Sequence, residues 1–148
     1  MRLVIQRVTS SNVSVKGKEV GRIDNGLFVL VGIGKDDSEN DARYLADKLS
    51  KLRVMSDEKK KMNLSLKDMD GGILAVSQFT LFADTTKGNR PSFIKAAEPK
   101  IANFIYAKFV DYLRAYGIRV ETGLFGNYME LEVKLDGPVT IILDSQEK

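Results

Sequence analysis

The chain has 148 residues, 43% hydrophobic and 29% charged, with a net charge of +3 and a pI near 9.0. That length favours one domain, residues 1–148, able to bury a core without disulfide or metal support, and the composition is that of an ordinary globular protein. There is no Cys and no His, which removes imidazole-based triads, thiol nucleophiles and the usual zinc ligand sets. An enzyme built from this chain must work with hydroxyls, amides, carboxylates, lysines, main-chain groups or groups of its substrate.

Residues 2–8, 12–16, 19–24 and 27–34 are rich in Val, Ile and Leu and separated by turn chemistry, which predicts an antiparallel sheet. Gly17 between lysines is expected to turn one hairpin, and Asn25-Gly26, two residues that tolerate positive φ, another. Met1-Arg2-Leu3 leads straight into this pattern. With no signal-peptide layout and no apolar run of membrane-spanning length, a cytoplasmic protein without a membrane partner is expected.

A helix follows, capped by Ser38 with Asp41 three residues on, its apolar face formed by Ala42, Leu45, Ala46, Leu49 and Leu52. Residues 56–70 read as a loop with a short strand near 62–66. Gly71-Gly72 opens an apolar strand over 73–79. The connection 84–97 is long for a compact domain, and such loops are commonly functional. Pro99 suits the first turn of a second helix, with Ile101, Phe104, Ile105, Phe109, Tyr112 and Leu113 on its inner face and Gly117 as its stop. Strands at 118–123, 128–135 and 139–143 complete an α+β fold, a mostly antiparallel, barrel-like sheet covered by two helices.

Three stretches carry polar chemistry. Ser77-Gln78-Phe79-Thr80-Leu81 clusters hydroxyls and an amide where a chain leaves its sheet, although ordinary strand residues bonding to nearby backbone would look the same. Gly137-Pro138, in Asp136-Gly137-Pro138-Val139-Thr140, reads either as a turn between strands or as a rigid unit whose carbonyls line a pocket. Gly88-Asn89-Arg90-Pro91-Ser92-Phe93 offers Arg90 for phosphate, or merely a structural arginine beside a proline. The mild basicity, and Lys59-Lys60-Lys61 within it, suits a polyanion and equally a solvated surface. No metal-ligand constellation and no cofactor motif is visible.

Taken together, Ile5-Gln6-Arg7-Val8, Lys61-Met62-Asn63-Leu64, Ser77-Gln78-Phe79-Thr80-Leu81, Arg90-Pro91-Ser92-Phe93, Thr122-Gly123-Leu124-Phe125-Gly126 with Met129, and Gly137-Pro138-Val139-Thr140 resemble the D-aminoacyl-tRNA deacylase family, in order and over the whole length. The resemblance implies a homodimer that hydrolyses the ester of D-aminoacyl-tRNA at its 3′ end, with composite sites at the subunit interface. Ser77, Gln78 and Thr80 would come from one chain. A cis Gly137-Pro138 pair from the other would exclude L-amino acids while admitting D-amino acids and glycine. Arg7 is similar to the residue that holds this arrangement. Phe79 belongs to the same pocket, and Phe125 and Met129 correspond to walls for the terminal adenosine. Leu135 departs from the family's usual Asn two residues before the Gly-Pro pair. Two other readings stay open: an RNA-binding module without turnover, and a hydrolase using Thr80 or Ser77 as nucleophile.

Overall fold

The computed structural model describes residues 1–147. Its first strand, β1, runs unbroken over Arg2–Val15, where the sequence pattern suggests two strands. Arg7 and Val8 are both buried although they are neighbours, and the pairing register with the last strand shifts on either side of Val8. This irregularity interrupts the period-two pattern without ending the strand.

The last strand, β8 (Glu130–Asp144), lies antiparallel along one edge of β1, from Arg2↔Asp144 to Ser14↔Glu130. The other edge is shared end to end: β2 (Lys18–Ile23) pairs its C-terminal half and β3 (Gly26–Gly32) its N-terminal half. Lys16 (φ 51) and Gly17 (φ 74) turn β1 into β2, as two left-handed residues do in tight hairpins. Asn25-Gly26 is not a hairpin turn. β2 and β3 do not pair with each other, both run antiparallel to β1, and neither Asn25 nor Gly26 has positive φ. Glycine is needed at 26 for a different reason: a Cβ there would sit 1.9 Å from the Gly72 carbonyl oxygen.

From β3 the chain passes through α1 (Glu39–Ser50), the small β4–β5 pair (Met55–Ser56 with Met62–Leu64) and into β6 (Gly72–Ser77), parallel to β3. α2 (Pro99–Ala115) then returns it to β7 (Arg119–Thr122), parallel to β6. The fold is thus the expected α+β class with two helices over a curled sheet, antiparallel around β1 and parallel around β6. Parallel neighbours require crossovers, and the two helices supply them.

The apolar runs of β3 and β6 are explained by burial on both faces. Leu27, Val29, Val31, Ile73 and Ala75 face the helices, while Phe28, Leu74 and Val76 join Val8, Val13 and Ile23 on the opposite side. At the start of α1, the Asp41 carboxylate accepts from both the amide (2.9 Å) and hydroxyl (2.8 Å) of Ser38, and Ala42, Leu45, Ala46 and Leu49 are buried, whereas Leu52, expected on the same face, lies beyond the helix end and is half-buried. In α2 the buried stripe is Ala102, Ile105, Tyr106, Phe109, Val110 and Leu113. Ile101 and Phe104, expected inside, are 50% and 55% exposed. The face is rotated because the Tyr106 hydroxyl finds a buried acceptor, donating to the Ala75 carbonyl at 2.9 Å. That partner makes burying a tyrosine favourable. Tyr112 is half-buried at the seam between helices and meets Arg43 and Glu39 of α1.

Candidate active site

β6 ends at Ser77, where its pairing with β3 ends as well, and the Gln78 amide still donates to the Val31 carbonyl at 2.8 Å. The chain then tightens into a 3-10 turn over Phe79–Phe82. The strand expected over 73–79 therefore stops two residues early. The first amides of such a turn have no partner within it. Those of Phe79 and Thr80 make no backbone hydrogen bond outside regular structure among the described residues, and Phe79 lines the adjacent cavity.

That cavity has a volume of about 620 Å³, within the usual range of small-ligand sites. One wall is Ser77, Gln78 and Phe79, and the facing wall is Phe125, Gly126, Asn127, Tyr128 and Met129. Its floor is apolar: Val31, Ile33 and Val76 from the sheet, with Ala96, Ala97, Pro99 and Ala102 at the start of α2. No carboxylate, lysine or arginine lines it. Phe93, on the long connection, meets Phe79 edge to face with ring centroids 4.9 Å apart, so the connection forms part of the wall.

Five residues given a site role in the sequence thus meet around one space, Ser77, Gln78, Phe79, Phe125 and Met129, together with Phe93 and Gly126 of the quoted motifs. Thr80 does not line it. Its exposed side chain accepts a short hydrogen bond from the Gln78 side-chain amide at the rim. Small wall residues such as Ala96, Ala97 and Ala102 left no chemical signal in the sequence, and Asn127 and Tyr128 sit in a turn whose motif pointed only to Phe125 and Met129.

Gly137, Pro138 and Arg7 do not line the cavity of their own chain. Gly137-Pro138 is not a turn between two strands but a bulge within β8. Gln6 pairs Thr140 and Val8 pairs Leu135, so residues 136–139 stand opposite Arg7 alone and project outward. The Gly137–Pro138 bond is cis, Gly137 has φ +145, and both residues are exposed. Leu135, in place of an asparagine, is 47% exposed and offers the bulge no hydrogen bond.

Arg7 supports the base of that bulge. Only 8% exposed, it donates from Nη1 to the Val54 carbonyl (2.9 Å) and Ser56 Oγ (3.1 Å), and its Nε lies 3.0 Å from Asp136 Oδ2. This last contact is an ion pair without hydrogen-bond alignment, since Nε makes no hydrogen bond. Arg7→Met is expected to destabilise the protein by about 2–3 kcal/mol, chiefly by orphaning the Val54 carbonyl, with water compensating the half-exposed Asp136. Thermal melting should fall by roughly 5–10 °C, and an unchanged melting temperature would show that the guanidinium adds nothing net.

The barrel-like α+β fold thus holds an apolar cavity with amide and hydroxyl groups at a strand end, the arrangement of a small-ligand site. The family model described as D-Tyr-tRNA(Tyr) deacylase matches residues 4–144. Relatives named D-aminoacyl-tRNA deacylase include those of Fervidobacterium nodosum, 51% identical over 99% of both chains, and Bacillus pumilus, 54% identical over 99% of this chain and all of the other. Among solved structures, the chain resembles the c-Myc DNA Unwinding Element Binding Protein, with TM-score 0.91 and 38% identity over 97% of this chain and 98% of that one. It also shares the fold of a probable eukaryotic D-amino acid tRNA deacylase, with TM-score 0.83 and 21% identity over 96% and 97% of the two chains. The chain belongs to the D-Tyr-tRNA(Tyr) deacylase family, and its reaction is hydrolysis of the ester that joins a D-amino acid to tRNA. No helix among the described residues is long and apolar enough to cross a membrane.

Proposed function

We propose that the cavity receives the 3′-terminal aminoacyl-adenosine of tRNA in the cytoplasm, and that a homodimer completes each site with Gly137 and Pro138 of a second copy. The observation that carries this reading is a cavity of substrate size with no ionisable base or acid in its wall apart from the Tyr128 phenol. An aminoacyl ester does not need one. Its carbonyl is already activated, and the neighbouring ribose 2′-hydroxyl assists the attack of water. As water adds to the carbonyl carbon, negative charge develops on the carbonyl oxygen. The intermediate then expels the ribose 3′-oxygen, which takes up a proton, and leaves the free D-amino acid and tRNA.

The protein's part is placement and charge stabilisation. The amides of Phe79 and Thr80 serve as oxyanion donors, with Ser77 and Gln78 beside them. Thr80 acts through Gln78, whose amide it holds at the rim. A nucleophilic role for Thr80 is disfavoured by its exposure and by the lack of any base beside it. Phe79, Phe125 and Met129 provide surface for the adenosine.

Several features favour the shared site. The bulge is exposed and absent from the cavity of its own chain, so its carbonyls are available to a neighbour. β8 pairs only with β1 among the described residues and leaves Leu131, Leu135 and Ile142 39%, 47% and 64% exposed. An uncovered strand edge with apolar side chains is a surface that folded proteins normally cover. If the carbonyls of Gly137 and Pro138 bind the substrate ammonium closely, an L side chain would have to overlap backbone. A D side chain projects outward unread, and glycine has nothing to exclude.

The test is hydrolysis of D-tyrosyl-, L-tyrosyl- and glycyl-tRNA side by side. The D-ester and the glycyl ester should be lost and the L-ester spared. An inert glycyl ester would sink the exclusion account. Retained tRNA binding without hydrolysis would favour an RNA-binding module, and a trapped acyl-enzyme a side-chain nucleophile.

A further inference from the structure

We propose that the loop 85–91 is a phosphate guide, which holds the backbone of the single-stranded 3′ end just before the nucleotide that enters the cavity. The inference rests on the reading of the cavity given above. A terminal nucleoside can enter a cavity whose wall carries no cation, but the phosphates that precede it cannot be matched there. They must be read outside, by groups fixed to the rim.

The loop is fixed to the rim. Asp84 and Ser92 exchange two backbone hydrogen bonds of 2.8 Å, which close its base. The Asp84 carboxylate accepts from the Thr86 amide (3.0 Å) and hydroxyl (2.7 Å), and its other oxygen lies 2.8 Å from Lys95 Nζ. Lys95 foremost, then the Thr86 hydroxyl and amide, hold this carboxyl well below its usual range, so its charge is answered within the loop's own base. Phe93 follows immediately and packs on Phe79 in the cavity wall. Arg90, three residues from Phe93, is held within roughly 11 Å of it along the chain, and Lys87, six residues away, within roughly 22 Å.

The charge at the tip remains unanswered. Lys87 and Arg90 are exposed and take part in no ion pair among the described residues. Segment 84–100 carries four cations, Lys87, Arg90, Lys95 and Lys100, against Asp84 and Glu98. It therefore supplies two of the three net positive charges of the whole chain. A rigid, positively charged loop beside a neutral cavity matches a ligand with an uncharged end and a polyanionic tail. Phosphate contacts of this kind position a nucleic acid without reading its sequence.

The test compares two substrates on the double variant Lys87→Gln/Arg90→Gln. One is D-tyrosyl-tRNA; the other is adenosine esterified with D-tyrosine at its 3′-hydroxyl, which lacks the phosphates. With tRNA, KM should rise about tenfold at low salt with kcat unchanged, and the slope of log KM against log salt should fall by roughly 1–2. With the adenosine ester both constants should match the wild type, which also shows that the cavity is intact. Unchanged kinetics on tRNA, or an equal loss on both substrates, would overturn the proposal. If the wild type cleaves neither ester, the reading of the cavity fails instead. Filter binding of uncharged tRNA then decides the loop's role by the same change in salt slope.

Discussion

Gly137→Ala is expected to lower deacylation of D-tyrosyl-tRNA by about 10²-fold while leaving the melting temperature within a few degrees of wild type. A Cβ at this position would meet the Val139 amide nitrogen at 2.4 Å and Val139 Cγ2 at 2.9 Å, in a backbone with φ +145 that L side chains rarely adopt. The exposed bulge must rearrange to relieve this, and displacing a binding group by about an ångström is enough for a loss of that size. Because residues 136–139 are out of register with β1, the pairing on either side is expected to survive. Kinetics on the D- and L-esters together with a thermal melt check it. Unaltered rates would remove the bulge from the site, whereas a collapsed melting temperature would make it a structural element of the sheet.

The second large effect concerns stability. Gly26→Ala places a Cβ 1.9 Å from the Gly72 carbonyl oxygen and 2.9 Å from the Gly72 nitrogen and carbonyl carbon. These are backbone atoms where β3 and β6 begin their parallel pairing, so no side-chain rotation relieves the overlap. The strands must separate at the centre of the sheet, at a cost above about 4 kcal/mol, a range reached only by a few mechanisms of this kind. Chemical denaturation should show a much lower midpoint or no folded protein. A variant within about 1 kcal/mol of wild type would mean that the two strands move apart at little cost.

That glycine also shows what local sequence can and cannot convey. Asn25-Gly26 carries the chemistry of a hairpin turn, but the same residue type serves where two backbones come too close for a side chain, and only the tertiary partner tells them apart. Gly17 and Gly117 read correctly because their requirement is local: both have positive φ where the chain turns. The α1 face and its Ser38–Asp41 cap were legible for the same reason. α2 was offset because the residue that sets its rotation is Tyr106, whose burial depends on an acceptor in a distant strand.

The candidate site divides along similar lines. Ser77 and Gln78 were visible as polar groups clustered at a strand end, which ordinary strand residues would also show, and Phe79 only through the family resemblance; all three line the cavity. That Thr80 turns away follows from the 3-10 geometry of Phe79–Phe82, which period-two reasoning does not contain. The projection of Gly137-Pro138 was hidden because it depends on β1 keeping its register past four residues of β8 that face Arg7. The local signal for a turn was real, but it did not separate two strands.

The pairing of β1 with β8 has a consequence in time. Arg2 meets Asp144 and Ser14 meets Glu130, so the first strand made is joined by the last. Contacts this distant in sequence are slow to form, because the whole intervening chain must be ordered before they contribute. During synthesis β2 and β3 can line one edge of β1 early, while its other edge stays open until residues 130–144 leave the ribosome. The projecting bulge arrives on that same final strand. The polypeptide therefore completes its sheet and its outward-facing Gly-Pro unit in a single late step, and an incomplete chain presents neither.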